Sequence, residues 1–132
     1  MSLPEELDKW VSIYVRCRYA NPHTGQCFCY TCPARMHWKM LDAGHWQLRG
    51  NRSLRYEVNQ MRAQCVTCNR EMNGRPDVFE EELRAELGDD KVDAFLKTKN
   101  EYAGFTDEWY AEQIEYFKST VKQMSAYNTV LE

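Results

Sequence analysis

The strongest constraint on the fold of this chain is a pair of Cys-x-x-Cys motifs, Cys29-Tyr-Thr-Cys32 and Cys65-Val-Thr-Cys68, with 32 residues between them. Two cysteines at this spacing wrap one metal ion from a tight turn, and two such pairs complete a tetrahedral set of four thiolates. The spacing predicts a structural zinc site on Cys29, Cys32, Cys65 and Cys68. The intervening chain, longer than in a minimal zinc ribbon, must then fold back on itself. With the second pair at a helix start, the expected arrangement is treble-clef-like: a knuckle, a hairpin and a helix. A lone pair would leave redox chemistry open, whereas two pairs favour a metal. Cys27 offers an alternative ligand through Cys27-x-Cys29, and Cys17 falls in a predicted helix as buried packing.

At 132 residues the chain is one domain, or one domain with a helical extension. Its core is modest, so a structural metal contributes usefully to stability. No apolar run is long enough to span a bilayer, so no membrane partner is expected. The acidic, polar start Met-Ser-Leu-Pro-Glu-Glu-Leu-Asp does not resemble a secretory signal. Six cysteines without such a signal favour thiols and metal over disulfides, which places the protein in a cytoplasmic setting.

The net charge of −3 conceals an asymmetry. Residues 30–76 carry eight bases against three acids, and residues 77–132 carry six bases against fourteen acids. Seven of the eight central bases are arginine, the side chain best suited to forked phosphate contacts. A basic centre of this kind binds nucleic acid even where the whole chain is acidic. The acidic tail either limits non-specific binding or is a solvated helix surface.

Periodicity completes the outline. Leu7, Trp10, Val11, Tyr14 and Val15 predict an amphipathic helix over residues 4–19, followed by a turn at Asn21-Pro22-His23-Thr24-Gly25. Residues 26–50 read as short strands and tight turns, and 51–62 as a loop or short helical piece. Cys68 to Glu71 starts a helix that Gly74-Arg75-Pro76 interrupts. Val78, Phe79, Leu83 and Leu87 mark a helix ending at Gly88, Val92, Phe95 and Leu96 a short one, and Thr106 caps a last helix carrying Ile114, Phe117 and Val121. The final residues are expected to fray. The class is α+β, mostly helical. Residues 1–24 form an N-terminal helix packing on the core, 25–76 the zinc-bound core, and 77–132 an acidic helical extension.

The stretch Cys29-x-x-Cys32, Asp42-Ala43-Gly44-His45, Ser53-Leu54-Arg55-Tyr56-Glu57, Asn59 and Ala63-Gln64-Cys65-Val66-Thr67-Cys68-Asn69 resembles the NinG (Rap) family of lambdoid phages, recombination endonucleases that act on branched DNA. The similarity extends upstream through Trp10 to Ala20 and Gly25, and downstream through Gly74 and Leu83 to Gly88. The same centre looks like an HNH, or ββα-metal, nuclease on a four-cysteine zinc scaffold. Phage endonuclease VII, a Holliday-junction resolvase, is a similar assembly with an Asn directly after its final zinc cysteine, the place of Asn69 here.

The resemblance implies a metal-dependent endonuclease cleaving branched recombination DNA such as Holliday junctions and D-loops. Recombination proteins are possible partners, and the setting is the host-cell cytoplasm if the chain is phage-encoded. Phosphodiester hydrolysis needs an activated water and a cation beside the phosphate. His45 is the candidate general base, since a histidine titrates near working pH. Asp42 and Asn69 offer oxygen ligands suited to Mg²⁺ or Mn²⁺. Asn59 is expected to fix the loop or orient the His45 ring, as the middle Asn of HNH sites does. Arg49, Arg52, Arg55, Arg62 and Arg70 are candidates for backbone phosphates, and Trp38 or Trp46 for stacking on an unpaired base. His23 and His37 read as surface residues. Paired cuts at a junction would call for a homodimer.

One position departs from the HNH pattern. Gly44 stands directly before His45 where those enzymes carry a metal-binding Asp or His, and a bend at Ala43-Gly44 is expected to return Asp42 to the metal. Two other readings remain open: a non-catalytic zinc module binding DNA or a recombination partner, and an HNH nuclease acting on ordinary duplex.

Overall fold

The computed structural model describes residues 1–47, 53–98, 101 and 104–131. Its class is mixed α and β, mostly helical. Helix α1 spans Leu3–Cys17 and starts on a capping box in which Ser2 and Glu5 satisfy each other's backbone donors. Strands β1 (Gln26–Phe28) and β2 (Arg35–His37) form an antiparallel hairpin whose tip is the first cysteine knuckle. Strands β3 (Asp42–His45) and β4 (Met61–Gln64) form a second antiparallel hairpin that runs into the second knuckle.

The predicted helix after Cys68 is a single wide turn, Thr67–Glu71. It stops because Asn73, Gly74 and Arg75 all adopt positive φ, which no helix continues. Helices α2 (Pro76–Leu87), α3 (Asp89–Thr98) and α4 (Asp107–Lys122) follow, with Gly88 ending α2 at φ 90° and Thr106 capping α4 through the Trp109 amide.

Among the described residues, three apolar clusters hold these elements together. Leu7, Trp10, Val11 and Val15 of α1 pack on Ile114, Phe117 and Val121 of α4, with Met61 of β4 in the same cluster. Phe79 and Leu83 of α2 meet Val92 and Phe95 of α3 around Trp46 and Leu54. Leu7, Phe79 and Leu83 have no exposed surface, and burial of each is worth about 1.5–3 kcal/mol. The third cluster surrounds the cysteines and includes Cys17, Trp38, Leu41 and Ala126.

The C-terminal segment corrects the expectation of fraying. Residues Ser125–Asn128 form a short turn of helix, and Ala126 is buried. Its carbonyl accepts from Trp38 Nε1 at 2.8 Å, and Thr129 Oγ1 lies 2.7 Å from His37 Nε2. His37 is therefore buried at 3 % exposure and is not a surface residue. Trp38 and Trp46 are buried as well, at 3 % and 7 % exposure, so neither is placed to stack on a base.

Candidate functional site

The two knuckles bring Cys29, Cys32, Cys65 and Cys68 together with all four sulfur atoms within 4.8 Å of one another. Zn–S bonds of about 2.3 Å imply sulfur–sulfur edges of roughly 3.8 Å in a regular tetrahedron. The Cys32–Cys65 separation of 3.7 Å already matches such an edge. This donor set fits a structural metal such as zinc. Cys27 lies outside the set, with its thiol directed to its neighbour's carbonyl, Phe28 O, at 3.6 Å. All six cysteines are free thiols, and burial pushes Cys17 up to about 12 and raises Cys27, as expected of inert packing residues.

The knuckle is prepared for thiolates. Burial alone would raise Cys29, but hydrogen bonds from the Cys65 and Thr31 backbones, the Thr31 hydroxyl and Cys32 bring it down to about 7. Cys32 is pushed up to about 12, first by burial and then by the crowding of the other thiols. A metal bound here would resolve this conflict by drawing all four into the thiolate form.

The link from the knuckle to the hairpin runs through two side chains that the sequence reading did not single out. Gln64 Nε2 donates to Thr31 Oγ1 at 3.0 Å and to Gly74 O at 2.9 Å. The Thr31 hydroxyl hydrogen is then left to donate to Cys29 Sγ, 3.6 Å away. Gln60, Arg62 and Gln64 are polar at every second position and are buried at 0, 2 and 0 % exposure. Arg62 and Gln64 lie on β4 and Gln60 on the turn just before it, and polar residues at every second position were the available signal for this buried polar set.

Across the hairpin, Asp42 meets the turn after the second knuckle. Asn69 Nδ2 donates to Asp42 Oδ2 at 3.0 Å, and the Arg70 guanidinium donates to both carboxylate oxygens at 2.9 Å. Two of the candidate ligands, 27 residues apart, are thus in direct contact beside the cysteine cluster. Burial works against the Asp42 carboxylate, but the hydrogen bonds from Arg70 and Asn69 outweigh it and hold its pKa below the ordinary value. A depressed folded-state pKa contributes stability above the unfolded carboxylate value of about 3.9 and loses it as the pH falls through the folded value. Arg70→Ala is expected to move the Asp42 carboxyl titration upward. Carboxyl ¹³C NMR in magnesium-free buffer measures it, and an unmoved titration would mean that Arg70 does not set the Asp42 charge.

The expected bend at Ala43-Gly44 is not there: Asp42 to His45 pair in unbroken register with Gln64 to Met61. Strand alternation puts Asp42 on the same face as Gly44 and the opposite face from His45. Gly44 lacks a side chain because the Gln64 carboxamide occupies the space, and an added Cβ would lie 2.7 Å from Gln64 Cδ. Gln64 Oε1 is buried there with no hydrogen-bond partner among the described residues.

His45 is half-buried at the end of β3, and Gln60 Nε2 lies 3.5 Å from its Nδ1. Gln60 is itself held by Leu54 O at 3.0 Å and the Gln47 amide at 2.8 Å. The role expected of Asn59 toward the His45 ring thus has a contact one residue on, at Gln60. Asn59 shapes the loop through its backbone, donating to Glu57 Oε1 and accepting from Arg62 Nη1, both at 3.1 Å.

The arginines divide. Arg62 is inside the fold, ion-paired to Glu86 at 2.5 Å and bonded to the carbonyls of Asn59 and Met61. That is a correction: this guanidinium is committed to the core and does not reach a phosphate at the surface. Arg55 is clamped on Asp8 at 2.5 Å with 28 % of its side chain exposed, whereas Arg70 is 66 % exposed. Arg49 and Arg52 lie outside the described residues.

With this geometry in hand, the family model for the bacteriophage lambda NinG protein matches residues 3–126. The chain belongs to the NinG family. The match runs from the first turn of α1 to the buried Ala126 and so covers both knuckles, both hairpins and α4. Membership makes this a phage recombination-related protein. Comparison with curated proteins and with solved structures gave no match. No helix among the described residues is long and apolar enough to cross a membrane.

Proposed function

We propose that this NinG-family chain is a divalent-metal-dependent endonuclease of the HNH type that cuts branched recombination DNA. The observation that carries the reading is the Asn69–Asp42 contact at 3.0 Å beside the four-cysteine cluster, with His45 on the same strand as Asp42. HNH enzymes carry their ligand directly before the base, on the opposite strand face. Asp42 keeps that face and lies one pleat pair further along, about 6.6 Å by strand rise.

In this reading the cysteine metal is structural and takes no part in the chemistry. The Asp42 carboxylate and the Asn69 amide oxygen would hold a Mg²⁺ or Mn²⁺ ion, which supplies positive charge beside the scissile phosphate. Arg70 neutralises Asp42 in the free protein and is exposed enough to turn to a phosphate, which would release the carboxylate for the cation. His45 takes the proton from the attacking water. Branch preference and the paired cuts of a homodimer come from the family resemblance.

The test is cleavage of a labelled four-way junction and a matched linear duplex, with and without Mg²⁺ or Mn²⁺. Wild-type protein is expected to cut the junction only with the cation, and His45→Ala to lose at least about a hundredfold in rate. Binding without cutting under every condition would sink the nuclease and leave a non-catalytic DNA module. Equal cutting of both substrates would remove the branch preference alone.

A further inference from the structure

A cleft of about 540 Å³ opens beside the first knuckle, on residues that the Asp42–Asn69–Arg70 cluster does not use. Tyr19, Phe28 and Tyr30 line it together with the Arg62–Glu86 ion pair. Tyr19 and Phe28 are large aromatic side chains left 64 % and 62 % exposed, although the chain buries Trp38 and Trp46 nearly completely. Two rings left exposed at one cleft form an aromatic surface for a partner.

The cations beside the exposed rings say which partner, since the acid in the lining, Glu86, is already paired with Arg62. From Lys9 to Leu41 the sequence has no Asp or Glu and carries Lys9, Arg16, Arg18, Arg35 and Lys39. Two of those cations sit on the exposed rings themselves. The Arg18 guanidinium lies 4.9 Å from the Tyr19 ring centre, and that of Arg35, across the β1–β2 hairpin, 5.6 Å from the Phe28 ring. Aromatic faces with guanidinium groups beside them suit a stacked base followed by its phosphate. An apolar protein segment would gain from the rings but would leave the cations without anions.

We infer that this cleft takes an unpaired nucleotide of a DNA strand, its base stacked on Tyr19 and Phe28 and its phosphate beside Arg35, while Arg18 is held against Tyr19 by the carbonyls of Val58 and Met61. The lining offers what a base edge can read. Glu86 keeps 38 % of its side chain exposed while Arg62 and the Tyr30 hydroxyl hold its carboxylate in place. Branched DNA differs from duplex in presenting unpaired or unstacked nucleotides, so the cleft gives the proposed DNA substrate a physical mark to be recognised by. This inference rests on the DNA-binding part of that proposal and is independent of His45.

The test compares a duplex carrying a single-stranded flap, with 2-aminopurine in the flap, against the same blunt duplex. Fluorescence anisotropy gives the affinities, and 2-aminopurine emission reports stacking. Wild-type protein is expected to bind the flap about tenfold or more tightly than the duplex and to change the emission. The Tyr19→Ala/Phe28→Ala double variant should lose that preference and the emission change, keep its duplex affinity, and melt as wild type because both rings are exposed. Tyr19→Phe should retain the preference. A double variant that prefers the flap as strongly as wild type overturns the inference and leaves DNA binding intact, and that is also the result if an apolar protein segment is the occupant. Failure of wild-type protein to bind either DNA removes the DNA reading and this inference with it.

Discussion

Replacing Cys65 by Ser, or removing the metal with a chelator at neutral pH, is expected to unfold the centre of the protein and to break the Asp42–Asn69 contact. The four sulfur atoms within 4.8 Å of one another join two segments at the centre of the apolar cluster that surrounds the cysteines. The hairpins have only three and four residues per strand, too short to stand alone in water. Structural zinc on four thiolates is worth on the order of 10 kcal/mol near neutral pH, comparable to the whole stability of a domain this size. Metal analysis of reduced protein should give about one zinc per chain. Far-UV circular dichroism and thermal melting should then show the loss on chelation. Metal displaces protons from thiols, so affinity falls as the pH drops, and zinc should leave more readily in acid. Protein that carries no metal and melts unchanged after chelation would refute the scaffold.

What was legible in the sequence was the chemistry that is local in it. A Cys-x-x-Cys knuckle is made by neighbouring residues, so its spacing survives without tertiary information. The helices were legible for the same reason: α1 and α4 carry apolar residues at helical spacing, and Thr106 and Gly88 punctuate them where a cap and a stop belong. Contacts across large separations were not legible. Nothing near Trp38 signals that its indole will bond the carbonyl of Ala126, 88 residues on, so the tail read as frayed and the indole as a possible stacking face. Arg62 read as a surface cation because its partner Glu86 lies on another helix, 24 residues away. The pairing of Asp42 with Asn69 could be anticipated, because the second knuckle hands directly to Asn69. Its neutralisation by Arg70 could not.

The same reasoning explains Gly44, which looked like a defect in the site and is a packing requirement. Gly44→Ala is expected to destabilise the protein by about 3 kcal/mol, at the upper end of what overpacking costs. The added methyl would fall on Gln64 Oε1 and stand 2.7 Å from Gln64 Cδ. Gln64 cannot yield cheaply: it is fully buried and its amide is bonded to Thr31 and Gly74. Moving it would leave the Gly74 carbonyl without that donor and withdraw the hydrogen bond that orients Thr31 toward Cys29. Gln64→Ala should cost about 1–3 kcal/mol for those lost partners. It also opens the space that the new methyl needs, so the double variant Gly44→Ala/Gln64→Ala should be more stable than the sum of the single losses predicts, by about 1–3 kcal/mol. Urea unfolding of the four proteins, each checked for zinc content, measures the coupling. Strictly additive losses, or a neutral Gly44→Ala, would show that the Gln64 amide does not govern this position. A clear coupling would tie Gly44 through Gln64 and Thr31 to the cysteine cluster, so that the residue directly before His45 serves the metal scaffold.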